Sequence, residues 1–181
     1  MSERLTTAVR MGIGARQILN KTRTFPDAEV RNPFGSDMPH IGVEPMLLAL
    51  AMELALKAWY VFDYDKIPKK RWTHDLAEIF DSLTDESRQK LDAAFKATVA
   101  PRHPNFFYVD YGIRDVLFQH KDAFVRWRYL HESGEPMLFE QSVFEATAEM
   151  VIVEFEKRYR TEPVYPPPLS RRLEIKGEQD L

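Results

Sequence analysis

Residues 46–63 read MLLALAMELALKAWYVFD, and this stretch constrains the fold more than any other. Stepping about 100° per residue, as in an α-helix, places Leu47, Leu54, Ala58 and Phe62 on one face. Leu48, Met52 and Trp59 fall on another. Only the line through Glu53, Lys57 and Tyr60 is polar. A helix that is apolar on nearly every side belongs at the centre of a bundle. Glu53 and Lys57 interrupt the apolar run 45–62, so it falls short of a membrane span. The expectation is a buried central helix in a cytoplasmic protein that does not engage a membrane.

Other helices should surround it. Residues 2–20 can form a helix, weakened by Gly12 and Gly14. Residues 24–45 carry Pro26, Pro33, Pro39 and Pro45, which predicts an irregular arm that clasps a partner or acts as a lid. After a basic linker, Thr73 is the expected N-cap of a helix with Leu76, Ile79, Phe80 and Leu83 at helical spacing. Thr84 should cap the next helix, 85–99, whose first turn is acidic as the helix dipole prefers. Pro101 and Pro104 break the chain, and an aromatic segment, 105–111, follows as a short extended piece or a lid. Two further helices are predicted at 113–132 and 137–160, separated by Gly134 and Pro136. No segment alternates with the period of a strand. The fold class is therefore all-α, a bundle of about four or five core helices with an irregular N-terminal arm and a Pro-rich C-terminal tail. The divisions are 1–44 for the N-terminal helix and arm, 45–162 for the bundle and 163–181 for the tail.

Composition removes several functions. The chain has 181 residues and no cysteine, which excludes disulfides, zinc–thiolate sites and cysteine nucleophiles. Its net charge of −3 supplies no global field for nucleic acid, although a local basic patch can still exist. The histidines are scattered and no HExxH is present, so neither a metal nor a cofactor is expected.

The helix containing Ala51-Met52-Glu53-Leu54-Ala55-Leu56-Lys57-Ala58, followed by a helix opening on His74-Asp75-Leu76, resembles the start of HEPN-domain proteins. Arg126, followed by Trp127, Arg128, Tyr129, Leu130 and His131, resembles the Arg–His motif of a later helix in many members. The likeness covers roughly residues 45–160. It implies a helical bundle that commonly dimerises. In active members, Arg and His from paired protomers form a metal-independent endoribonuclease site, of the kind found in defence or toxin–antitoxin systems. Other members are binding or regulatory modules. The active motif usually places a polar residue after its Arg, and here that position holds Trp127. A non-catalytic module with RNA, a nucleotide or a protein as partner is the reading preferred, and the endoribonuclease is the alternative.

Several residues are candidates for chemistry. On a straight helix over 113–132, Arg126 points about 140° away from His131, whereas Arg128 and His131 lie at i and i+3 and can converge. As a catalytic set, His131 would be the general base, and Arg126 or Arg128 would stabilise phosphate charge. The structural alternative makes His120 and His131 satisfied histidines at a core or dimer edge, with Arg128 lying along the surface. Glu53 and Lys57, in the favourable i, i+4 order, would sit in a phosphate pocket or form a polar packing stripe. Asp75 suits a helix N-terminus, and His74 could hydrogen-bond a neighbouring helix, for instance at Glu53. Lys70, Arg71 and Trp72 could grip a phosphate backbone and stack a base, or be a solvated loop with an aromatic anchor. The helix 137–160 shows two apolar faces. One suits the bundle core, and the second calls for a homodimer or for cover by the N-terminal arm.

Overall fold

The computed structural model describes residues 3–25, 42–67, 73–102, 111–129, 132 and 138–161. Among these residues the architecture is all-α: α1 (Glu3–Thr22), α2 (Val43–Tyr64), α3 (Leu76–Asp81), α4 (Asp85–Thr98), α5 (Ile113–Gln119), α6 (Ala123–Arg128) and α7 (Gln141–Thr161), with a 3₁₀ turn at Ala100–Arg102. Residues 103–110, which take in the aromatic segment except for the buried Tyr111, most of the arm and the Pro-rich tail lie outside the described residues.

The central position of α2 follows from its apolarity. It packs against α1, α3, α6 and α7, and Leu48, Met52, Leu56 and Trp59 are fully buried. It is long and apolar enough to cross a membrane, yet 67% of its apolar window is buried inside the bundle. The helix starts at Val43, earlier than residue 46, and takes Pro45 into its first turn. Proline is tolerated there because the first backbone N–H groups have no partner within the helix.

The N-terminal helix packs along both α2 and α7 and so belongs to the bundle. Gly12 makes this approach close: a Cβ at that position would lie 2.6 Å from the Phe155 ring. On the same side, Arg16 bonds Glu149 and Glu156, and Arg23 bonds Glu145 and Glu149. The N-terminal helix thus covers one side of α7 within a single chain. Burial pushes the Glu149 carboxyl up, but the hydrogen bond from Arg16 and the charges of Arg16 and Arg23 outweigh it and hold the group below its ordinary value.

Three expected boundaries are corrected. The N-cap of α3 is Asp75, whose side chain accepts from the Glu78 N–H; Thr73 Oγ1 instead accepts from the Asp75 N–H. Capping by Asp75 is favoured because its carboxylate also meets the positive end of the helix. The span 113–132 is two helices, α5 and α6, with a turn at His120-Lys121-Asp122. The His120 ring bonds the Val116 carbonyl at 2.8 Å and competes with continuation of the helix. The last helix begins at Gln141, so Phe139 precedes it and packs on Trp127, His120 and Phe144. Thr84 caps α4 as expected, its hydroxyl accepting from the Ser87 N–H.

Candidate functional site

The polar line of α2 reaches the His-Asp-Leu element. Glu53 and Lys57 stand one helical turn apart, and Lys57 Nζ donates to Glu53 Oε1 at 2.5 Å. Glu53 is 4% exposed and Lys57 8%. His74 Nδ1 lies 3.0 Å from Glu53 Oε2 and 3.1 Å from Oε1. An ionised carboxylate only accepts hydrogen bonds, so Nδ1 carries the hydrogen. The His74 ring stacks on Phe124 of α6 at 5.3 Å, with its side chain 41% exposed. The Leu76 N–H donates to the Lys121 carbonyl at 3.2 Å and ties the start of α3 to the α5–α6 corner. The cluster therefore joins α2, α3 and α6 around one buried carboxylate. Asp75 contributes by capping rather than by facing the cluster.

This arrangement can do two things. It offsets the charge of Glu53 with an adjacent ammonium, which a buried carboxylate requires. It also presents an oriented imidazole edge at the surface, able to accept or donate one hydrogen bond to a ligand.

Of the Arg–His candidates, Arg126 and Arg128 fall within the described residues, on α6. The helix ends at Arg128, and His131 lies outside the described residues, as do Lys70, Arg71 and Trp72. Arg126 and Arg128, two positions apart, point about 160° from one another on the helix and cannot meet the same anion from it. Arg126 borders a small cleft of about 80 Å³ with Phe118, Trp127, Leu138 and Phe139. Arg128 lies 5.0 Å from the Tyr129 ring. Trp127, directly after Arg126, is half-buried and meets Phe139 edge-on.

His120 is a satisfied core histidine. It is 5% exposed, and the Glu140 backbone N–H donates to its Nε2 at 3.1 Å. Burial pushes its pKa below the ordinary value, opposed by the Val116 hydrogen bond and by Glu140. Nearby, Tyr111 donates to Gln119 at 2.9 Å. Burial, then the charges of Glu140 and Asp115, push its phenol up to about 12.

A second buried carboxylate was not among the candidates. Asp63, whose side chain is 0% exposed, accepts from the Thr84 N–H and hydroxyl, from Ser87 Oγ at 2.7 Å and from Arg158. The Arg158 guanidinium lies 5.0 Å from the Trp59 ring centre and 4.8 Å from that of Phe62. One sequence signal could have found it: an acid in the last turn of an apolar helix opposes the helix dipole and needs a strong partner. No metal-holding cluster of His, Cys, Asp and Glu occurs among the described residues.

Comparison with family models, curated proteins and solved structures gives no match.

Proposed function

We propose that this chain is a HEPN-like binding or regulatory module, cytoplasmic and homodimeric, that engages RNA, a nucleotide or a protein partner without cleaving it. The observation that carries the reading is the Glu53–His74 bond. It joins the two segments whose sequence resembles HEPN proteins and gives both polar signatures one structural role. The non-catalytic part is supported by Trp127, which follows Arg126 and packs against Phe139 instead of offering a polar group. His74 and the surface bordering Phe124 are the contact point assigned to the partner.

The test incubates the purified chain with mixed RNA in EDTA, alongside His131→Ala. Intact RNA in both samples is expected. Cleavage that disappears in His131→Ala would replace this reading with the endoribonuclease. Sedimentation tests the assembly: a mass independent of concentration and equal to one chain would remove the dimer.

A further inference from the structure

His120 sits where α5, the corner before α6 and the entry to α7 meet. Its two ring nitrogens have opposite duties. Nδ1 faces the Val116 carbonyl at 2.8 Å, an acceptor, and so must carry a hydrogen. Nε2 faces the Glu140 backbone nitrogen at 3.1 Å, a donor, and so must offer its lone pair. Both bonds together admit only the neutral Nδ1–H tautomer. The ring also packs edge-on against Phe139 at 4.9 Å and in a tilted contact with Phe144 at 5.0 Å. One imidazole thus holds both the Glu140 backbone and the neighbouring Phe139 side chain. Glu140 is the residue from which α7 starts, since its carbonyl accepts from the Phe144 N–H at 2.9 Å.

We propose that His120 is a proton-operated latch, in which protonation of Nε2 releases the Glu140 backbone N–H and detaches residues 138–140 from the α5–α6 corner. The step adds one proton to a neutral ring and turns Nε2 from acceptor into donor. Two donors then face each other, and the backbone N–H must leave. The Glu140 carboxylate, exposed and on the same residue, is the acceptor that takes its place. That exchange shifts the 138–140 segment and opens the cleft between Trp127 and Phe139. Among the described residues, the other charged groups lining the cleft beside the ring are Lys121 and Asp122 in the corner and Arg126 on α6; α5 offers the Val116 carbonyl and the Gln119 amide. One residue beyond Glu140, Gln141 is bonded to Glu44 of α2 at 2.5 Å, which keeps α7 itself anchored while the segment before it moves.

The direction of the pH response follows from burial. The closed form holds the imidazole below its ordinary pKa, so the stability of the latch is complete above about 6.5 and is lost progressively as the pH falls from there toward the lowered value. Between the ordinary value and the lowered one, protection of the Glu140 amide should fall by about tenfold per pH unit.

The experiment follows the His120 ring nitrogens and amide hydrogen-exchange protection by NMR on the full chain, from about pH 7.5 to about pH 5. Protection at Leu56 in α2 serves as the control for global unfolding. The expected result is that Glu140 loses protection in step with His120 protonation while Leu56 keeps it. In His120→Gln the side-chain carbonyl can still accept from Glu140 but does not titrate, so protection should stay constant. Glu140→Gln keeps an acceptor oxygen but removes its negative charge, which favours the protonated ring, and should move the midpoint to lower pH. The latch is overturned if Glu140 ignores His120 protonation, if both amides lose protection together, or if His120→Gln responds to pH as the parent does. If His120→Gln does not fold, the comparison of Glu140 with Leu56 in the parent chain still decides.

Discussion

The central helix buries two carboxylates, and the contrast between them separates a structural staple from a candidate site. Asp63 meets donors fixed by α4 and α7: a backbone N–H, two hydroxyls and a guanidinium held between aromatic rings. Every one belongs to an ordered helix or its cap, and the side chain is wholly shielded. Glu53, about 15 Å away along the helix axis, is bonded instead to an ammonium on its own helix and to an imidazole whose side chain is 41% exposed. One carboxylate is saturated by rigid partners and locks three helices together. The other leaves an oriented imidazole at the surface. Burial and charge alone do not distinguish them; the exposure of the partners does.

The largest expected effect lies at the Asp63 end. Arg158→Ala leaves a shielded carboxylate without its counter-charge and should cost about 3–5 kcal/mol in urea unfolding. Arg158→Lys keeps the charge but not the flat guanidinium between Trp59 and Phe62, so it should recover only part of that loss. Next comes Gly12→Ala. The new methyl group meets the Phe155 ring at 2.6 Å, and the core must shift at a cost of about 1–3 kcal/mol. Phe155→Leu in the same chain should make that methyl group less harmful, read as a double-mutant cycle.

At the Glu53 end, His74→Ala should cost about 1 kcal/mol, because water can replace a half-exposed imidazole. If His74→Ala proves as damaging as Arg158→Ala, the distinction between the two carboxylates collapses. If it is mild for folding but abolishes partner binding, the distinction becomes sharper. The smallest effect belongs to the arginines of α1. Arg23→Ala should cost roughly 0.2–1 kcal/mol and less still in high salt, since its side chain is 42% exposed. The acid limb has a defined sign. The Glu149 carboxyl is held below its ordinary 4.5, so its contribution is complete above that value and is lost as the pH falls through the lowered one. Glu149→Gln should flatten that part of the stability–pH curve.

The sequence made the centre of the fold readable because α2 leaves no exposed face for its apolar residues to occupy. The Glu53–His74 contact was readable for a related reason, since a lone polar line on such a helix requires a partner. The break after α5 was not. His120, Lys121 and Asp122 include neither glycine nor proline, and the turn arises from a ring that captures the Val116 carbonyl and the Glu140 N–H, the latter distant in sequence. The Asp63–Arg158 pair was hidden by separation along the chain. The acidic line of α7 was visible, but its pairing with Arg16 and Arg23 depends on the path of α1, which local periodicity does not fix.

Gly12 sets the register of the N-terminal helix. Its missing side chain admits the Phe155 ring at one height only, and from that height Arg16 reaches Glu149 and Glu156 while Arg23 reaches Glu145. Sliding α1 by a turn would bring Ala8 or Arg16 against the ring and strand the acids of α7. An extra residue between Gly12 and Arg16 would swing both arginines about 100° away while leaving the notch in place. The helix therefore behaves as a toothed rod with a single seat, and length changes within it should be far less tolerated than substitutions on its outer surface.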